Sequence, residues 1–135
     1  MPQKPIKRGY KVWVRANENG YVSQFEVYTG KIGPTPEKCL GPRVVKTLTN
    51  KLKDRYHKVY FDNYFTSVQL MKDLKQQGIY ACGTVRKGRI GMPKAFEKEK
   101  DMARGEFQFR TSSQGIITVF GRTIKGFYSC QIFTT

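Results

Sequence analysis

The chain has 135 residues, of which 39% are hydrophobic, and 25 Lys and Arg against 10 Asp and Glu give a formal charge of +15. This length suits one small domain, and the apolar content excludes a disordered tail. No apolar run approaches the ~20 residues of a membrane span, and the basic N-terminus lacks the apolar segment of a secretory signal. A soluble basic surface is one interpretation of the charge. A polyanion partner is the other, and we favour nucleic acid over a membrane.

The cysteines and the single histidine offer no metal-binding spacing. Cys39, Cys82 and Cys130 are far apart and form no CxxC pair, and His57 stands alone. We interpret the cysteines as reduced thiols of an intracellular protein, and not as a disulfide framework or a zinc site.

The first third of the chain predicts an arm, a hairpin and a helix. Residues 1–9, "MPQKPIKRG", are typical of an extended basic arm. Two β-rich runs follow, "YKVWVRA" and "GYVSQFEVYTGK", and the turn residues "NENG" between them predict a hairpin. After a loop rich in Gly and Pro, "RVVKTLTNKLKDR" has a helical apolar stripe formed by Val44, Val45, Leu48 and Leu52.

The middle of the chain predicts a strand, a helix and a second strand. "KVYF" is a short continuous apolar run, which is typical of a strand buried on both faces in a parallel sheet. "TSVQLMKDLKQQG" predicts a helix that Thr66 or Ser67 caps and Gly78 ends. "IYACGTV" is the next strand. This order indicates a βαβ unit with a parallel pair of strands.

The pattern changes near Arg86, where we place a module boundary. The segment "RKGRIGMPKAFEKEKDMARG" is charged and predicts irregular structure. Three short β-rich runs follow it: "EFQFRTS", "GIITVFGR" and "GFYSCQIFTT".

Asp62 is the candidate for chemistry, because it directly follows "KVYF". In open α/β sheets, functional groups collect beyond the carboxyl ends of the strands. Its position therefore favours a metal ligand, but a helix-capping acid or a turn residue would fit the pattern equally well.

Two basic clusters are candidates for contacting phosphates. Arg86, Lys87 and Arg89 lie with two glycines after the strand "IYACGTV", and Arg and Lys on flexible backbone suit nonspecific binding to a nucleic-acid backbone. A solvated basic loop is the alternative. Weaker candidates lie in the arm: Lys4, Lys7 and Arg8.

The order of longer motifs is more specific than any single residue. "MPQKPIKRGYKVWVRA", "GYVSQFEVYTGK", "LGPRVVKTL", "VYFDNYFTSVQLMKDL" and "ACGTVRKGRIGMP" follow one another with short spacers. Together they closely resemble the piggyBac family of transposases and the domesticated proteins derived from it. The resemblance spans nearly the whole chain and weakens after Pro93.

This resemblance implies a partial ribonuclease-H-like DDE/D transposase core over residues 10–85, within an α/β fold, and the start of a β-rich insertion domain over residues 86–135. In the family, three aspartates hold two divalent ions, Mg²⁺ or Mn²⁺, and Asp62 matches the second of them. Two metals roughly 3.5–4 Å apart can clamp both oxygens of an in-line phosphoryl displacement. The family cuts DNA ends and then inserts them at TTAA targets, which also implies a nuclear location.

The resemblance carries over incompletely. The family's first aspartate lies upstream of the opening motif and the third lies downstream of "GFYSCQIFTT", while Glu18, Asp54 and Asp73 match no catalytic motif. We therefore expect a transposase-derived fragment that binds DNA and is catalytically inert alone. One alternative is a partial gene model or subunit of an active metal-dependent transposase, completed by a second copy or another transposase chain. The other is a basic structural protein that binds nucleic acid.

Overall fold

The computed structural model describes residues 9–30, 34, 39–94, 101–123 and 128–135, with backbone alone for 128–130. Residues 1–8 of the predicted arm lie outside the described residues, and they include Lys4, Lys7 and Arg8. The chain forms two compact units, Met1–Asn50 and Lys51–Thr135. No described helix combines the length and the apolar content that crossing a bilayer requires.

The first unit contains the predicted hairpin, which is confirmed. Strands β1 (Lys11–Ala16) and β2 (Val22–Tyr28) pair antiparallel, with Val12 opposite Val27. Gly20 occupies the turn with a φ of 84°, a left-handed conformation that glycine adopts without steric cost.

Helix α1 (Leu40–Thr49) packs on the polar face of this hairpin and continues into a 3₁₀ turn, Asn50–Leu52. The Arg15 guanidinium donates to the Leu48 carbonyl at 2.5 Å, and Arg43 pairs with Glu26 at 2.7 Å. The last carbonyls of a helix have no intrahelical partner, so the strand side chain satisfies one of them. The opposite, apolar face of the hairpin is exposed at Val12, Val14, Val22, Phe25 and Val27.

Helix α1 begins at Leu40, three residues before the predicted start at Arg43. Pro42 lies in its first turn, where a helix tolerates proline because the N–H groups there have no intrahelical acceptor. Val44, Val45 and Leu48 of the predicted stripe are buried, whereas its fourth member, Leu52, is half-buried and lies in the 3₁₀ turn after the helix.

The second unit is built on a five-stranded sheet. Its elements are β3 (Lys58–Phe61), α2 (Val68–Gln76), β4 (Tyr80–Thr84), β5 (Phe107–Thr111), β6 (Ile116–Arg122) and β7 (Tyr128–Thr134). The strand order is β3-β4-β7-β6-β5, in which β3 and β4 are parallel and the other neighbours are antiparallel. The predicted βαβ unit and the three later strands are therefore confirmed.

Helix α2 supplies the core of this unit. Leu70, Met71 and Leu74 are buried, and the helix packs against β4 and β7. Ser67 is the N-cap, and its Oγ accepts a hydrogen bond from the Leu70 N–H at 3.1 Å. The predicted cap and the predicted helix end near Gly78, which has a φ of 65°, are both present.

The prediction that "KVYF" is buried on both faces was wrong. Among the described strands, β3 is an edge strand whose sheet neighbour is β4, and Lys58 and Tyr60 are exposed while Val59 and Phe61 are half-buried. An edge position leaves one side of the strand open, so a continuous apolar run did not mean complete burial. The structure thus shows a mixed α/β architecture, and the module boundary near Arg86 stays a prediction.

Candidate functional site

Asp62 begins the turn that joins β3 to α2. Its carboxylate Oδ1 accepts a hydrogen bond from the Tyr64 N–H at 2.9 Å, and its backbone carbonyl accepts one from Thr66 Oγ1 at 2.7 Å. A short acidic side chain that bonds to the backbone two residues later forms an Asx turn. Since Ser67 caps α2, the geometry makes Asp62 the turn residue and not the helix cap. Its side chain is exposed.

Strand β4 lies unusually close to this turn because residue 83 is glycine. A Cβ at Gly83 would overlap Thr66 Oγ1 and stand 3.0 Å from Phe61 Cδ2. No prediction from the sequence included Gly83. Its signal was present, because a glycine inside a strand pattern often marks a close approach of other atoms.

The predicted basic cluster and Asp62 lie at the same edge of the sheet. Strands β3 and β4 run parallel and end at Phe61 and Thr84, so the residues that follow them meet at one edge. The Arg89 guanidinium donates to the Asn63 carbonyl at 2.5 Å. This hydrogen bond ties the basic segment to the Asp62 turn.

The three cations of the cluster have different surroundings. Arg86 is exposed, and its guanidinium makes no hydrogen bond within the described ranges. The Lys87 ammonium lies 4.5 Å from the centroid of the Phe120 ring, which is a cation–π contact. Arg89 is half-buried and bonded to Asn63. Arg86 is therefore the member best placed to contact a ligand.

The described residues do not fit the pair of divalent ions that the resemblance implies. Two-metal sites need several carboxylates converging on the ions. Within ranges 9–30, 39–94, 101–123 and 128–135, no group of three or more His, Cys, Asp or Glu side chains could hold a metal. The metal-ligand role of Asp62 stays a prediction.

Comparison with known proteins decides the family. A family model described as Transposase IS4 matches residues 1–133. The chain belongs to this family of piggyBac-type transposases. Human PiggyBac transposable element-derived protein 2 is 36% identical over 124 residues, which cover 86% of the chain and 21% of the relative. Human PiggyBac transposable element-derived protein 3 is 38% identical over 125 residues, covering 84% and 20%.

The fold also matches a solved piggyBac-family structure. A chain from the cryo-EM structure of a piggyBac transposase synaptic complex with hairpin DNA superposes with a TM-score of 0.84 and 22% identity. The match covers 100% of this chain and 29% of the other, so it establishes the fold of the matched portion. DDE transposases generally use divalent metal ions. The present chain spans about a fifth of the length of its curated piggyBac relatives.

Proposed function

We propose that this piggyBac-family chain binds DNA and does not cleave it alone. The observation that carries the proposal is the set of side chains at the carboxyl ends of the parallel strands β3 and β4. The tie between Arg89 and Asn63 holds a basic segment beside Asp62, whereas the described residues add no cluster of further acids or histidines there. A region with these side chains attracts phosphates but does not hold a pair of metal ions.

The charge of the chain supports the DNA-binding part. A formal charge of +15 favours association with any polyanion, and an exposed Arg86 can contact phosphate without first breaking an internal hydrogen bond. Phosphate contacts position a protein on DNA without reading its sequence. We therefore expect sequence-tolerant binding to duplex DNA, with Lys87 and Arg89 contributing less than Arg86.

The absence of independent catalysis follows from ligand number. In-line phosphoryl displacement with two metals needs carboxylates on both ions. Asp62 offers one carboxylate, and its Oδ1 already accepts the Tyr64 N–H. No step of the reaction can be assigned to the described residues alone.

The family relationship and the parallel pair β3–β4 support two finer proposals. The βαβ unit would be part of a ribonuclease-H-like core, and Asp62 would descend from the second of three metal-binding aspartates. From family membership we also propose that the chain binds TTAA-containing DNA and that it is located in the nucleus.

One observation favours a second candidate function, in which another chain completes an active site. Asp62 is exposed and follows β3, an edge strand whose pairing partner among the described strands is β4. Acids from a second copy or from a complementing transposase could approach this edge. Nicking activity that rises with the square of the protein concentration would support this candidate.

The test of the proposed function is the salt dependence of duplex binding. The logarithm of the binding constant should fall with the logarithm of salt concentration, by about 0.9 per phosphate contact. Arg86→Glu should flatten this slope by about one contact. Arg104→Glu, which reverses an exposed arginine in the turn before β5, should keep the wild-type slope. A wild-type chain that shows no duplex binding, or an unchanged slope for Arg86→Glu, would refute the proposal.

A further inference from the structure

Residues 51–60, "KLKDRYHKVY", combine four cations with two tyrosines at the start of the second unit. Tyr60 is 73% exposed and Tyr56 is 65% exposed, and Tyr80 of the neighbouring strand is 37% exposed. Large aromatic side chains are costly to leave in water, so three of them at one place call for an explanation. We name Tyr56, Tyr60 and Tyr80, together with Lys58, the tyrosine patch.

Strand register places the patch on one face of the sheet. In the parallel pair, Lys58 lies opposite Tyr80 and Tyr60 lies opposite Cys82. Residues that pair directly across strands point to the same face, and here that face is opposite to the one bearing buried Ala81. Lys58, Tyr60, Tyr80 and Cys82 line an open pocket of about 320 Å³ together with Phe133 of β7.

The backbone fixes the position of the third ring. Tyr56 has a φ of 53°, a left-handed conformation that is unfavourable for a bulky residue. The Tyr56 N–H donates to the Gly78 carbonyl at 2.9 Å, and the Asp54 N–H donates to the Gln77 carbonyl at 2.9 Å. The Tyr56 ring centroid lies 6.0 Å from that of Tyr80. Two of the three rings are therefore neighbours without a ligand.

The cations of residues 51–60 are not engaged internally. They are exposed, and none of their side chains makes a hydrogen bond or ion pair within the described ranges: Lys51, Lys53, Arg55 and Lys58. The same ten-residue segment contains one acid, Asp54. This segment, which contains two of the three tyrosines of the patch, is thus strongly positive, and that favours an anionic ligand.

We infer that the tyrosine patch binds single-stranded DNA by stacking its unpaired bases on the tyrosine rings. Aromatic rings beside cations are the combination that such binding uses, because each base has a face that stacks and each nucleotide brings a phosphate. Duplex DNA keeps its bases stacked on one another and cannot supply those faces. A second copy of this chain is disfavoured as the occupant because two surfaces of the same positive charge repel.

This inference shares only the class of partner with the proposed function. The duplex proposal rests on Arg86 after β4, whereas the tyrosine patch lies on the open sheet face and in the turn before β3. Either proposal can fail while the other stands.

The experiment measures fluorescence anisotropy of a labelled oligo(dT) of about 12 nucleotides, a length within the usual site size. Tyr60→Ala should weaken binding about five-fold or more, since it removes one stacking ring. Tyr60→Phe keeps the ring and should bind as tightly as the wild type. Tyr10→Ala removes a tyrosine that is 93% exposed on the other unit, and it should also bind like the wild type. Photocrosslinking to an oligonucleotide containing 5-iodouracil should label a tyrosine of the patch.

Two further measurements distinguish single-stranded DNA from duplex DNA and from a second copy of the chain as the ligand of the patch. Tyr60→Ala should leave affinity for the matched oligo(dA)·oligo(dT) duplex unchanged. Unchanged oligo(dT) binding by Tyr60→Ala, or a loss as large with Tyr60→Phe, would overturn the inference. If Tyr60→Ala abolishes self-association in sedimentation while oligo(dT) binding persists, the patch is a protein contact and the inference is wrong.

Discussion

The Arg89 guanidinium donates a hydrogen bond to the backbone carbonyl of Asn63, the residue after Asp62. This bond joins the segment that follows β4 to the turn that follows β3. It assigns Arg89 a structural role, although the sequence grouped it with Arg86 and Lys87. The two arginines of the cluster should therefore respond differently to mutation.

Replacing Arg89 should destabilise the fold, because Arg89→Ala leaves the Asn63 carbonyl without its charged donor. This hydrogen bond is exposed, and a hydrogen bond from a charged donor contributes about 1 kcal/mol there. We expect Arg89→Ala to lower the midpoint of thermal unfolding by roughly 3–5 °C. Arg86→Ala should leave the midpoint unchanged, because the Arg86 side chain is exposed and makes no hydrogen bond within the described residues. Equal midpoints for the two variants in circular dichroism would contradict the assignment.

Adding a methyl group at residue 83 should disturb the Asp62 turn. The new Cβ of Gly83→Ala would overlap Thr66 Oγ1 and press on the Phe61 ring. Overpacking of this kind costs about 1–3 kcal/mol. Gly88→Ala is the matched control, because a Cβ there meets nothing within 4 Å. Chemical denaturation should give a lower free energy of unfolding for Gly83→Ala alone, and equal values for both variants would refute the close approach.

Helix α2 should depend on its cap. Ser67→Ala removes the oxygen that accepts the Leu70 N–H, and loss of an N-cap costs about 1 kcal/mol. Ser67→Asp supplies another acceptor and should restore most of the stability. The measurement is urea denaturation of the three proteins. A Ser67→Asp variant no more stable than Ser67→Ala would show that capping is not the cause.

The two described cysteines should differ in reactivity. Burial raises the pKa of the Cys82 thiol, so at neutral pH a smaller fraction of it is the nucleophilic thiolate. Cys39 is exposed. Mass spectrometry after brief iodoacetamide treatment should find Cys39 modified first, and Cys82 labelling should continue to increase at alkaline pH. Faster modification of Cys82 at pH 7 would contradict its burial.

Local patterns predicted the elements well. "NENG" marked the hairpin turn, Ser67 marked the start of α2, and the change from apolar run to helical stripe indicated the βαβ unit. Each of these signals depends on residues that are close together in the chain, so each can be recognised without knowledge of the tertiary structure.

Features decided by distant residues were missed. The composition of "KVYF" could not show that β3 is an edge strand, because that depends on which strands pair with it. The alternation of side chains along β1 indicated two faces of the hairpin, but it did not show that α1 covers the face that bears Arg15. The Arg89–Asn63 bond joins residues 26 positions apart and requires the parallel order of β3 and β4.

The central claim is that the chain binds DNA without cutting it, and one gel assay tests both halves. Supercoiled plasmid containing TTAA sites is incubated with wild type or with Asp62→Ala in Mg²⁺, and in parallel in Mn²⁺. Part of each sample is then freed of protein. We predict that both proteins retard the plasmid equally, and that the freed plasmid remains supercoiled in every lane. Metal-dependent nicking by the wild type that disappears in Asp62→Ala would contradict the account, because it would mean that Asp62 belongs to a complete catalytic site.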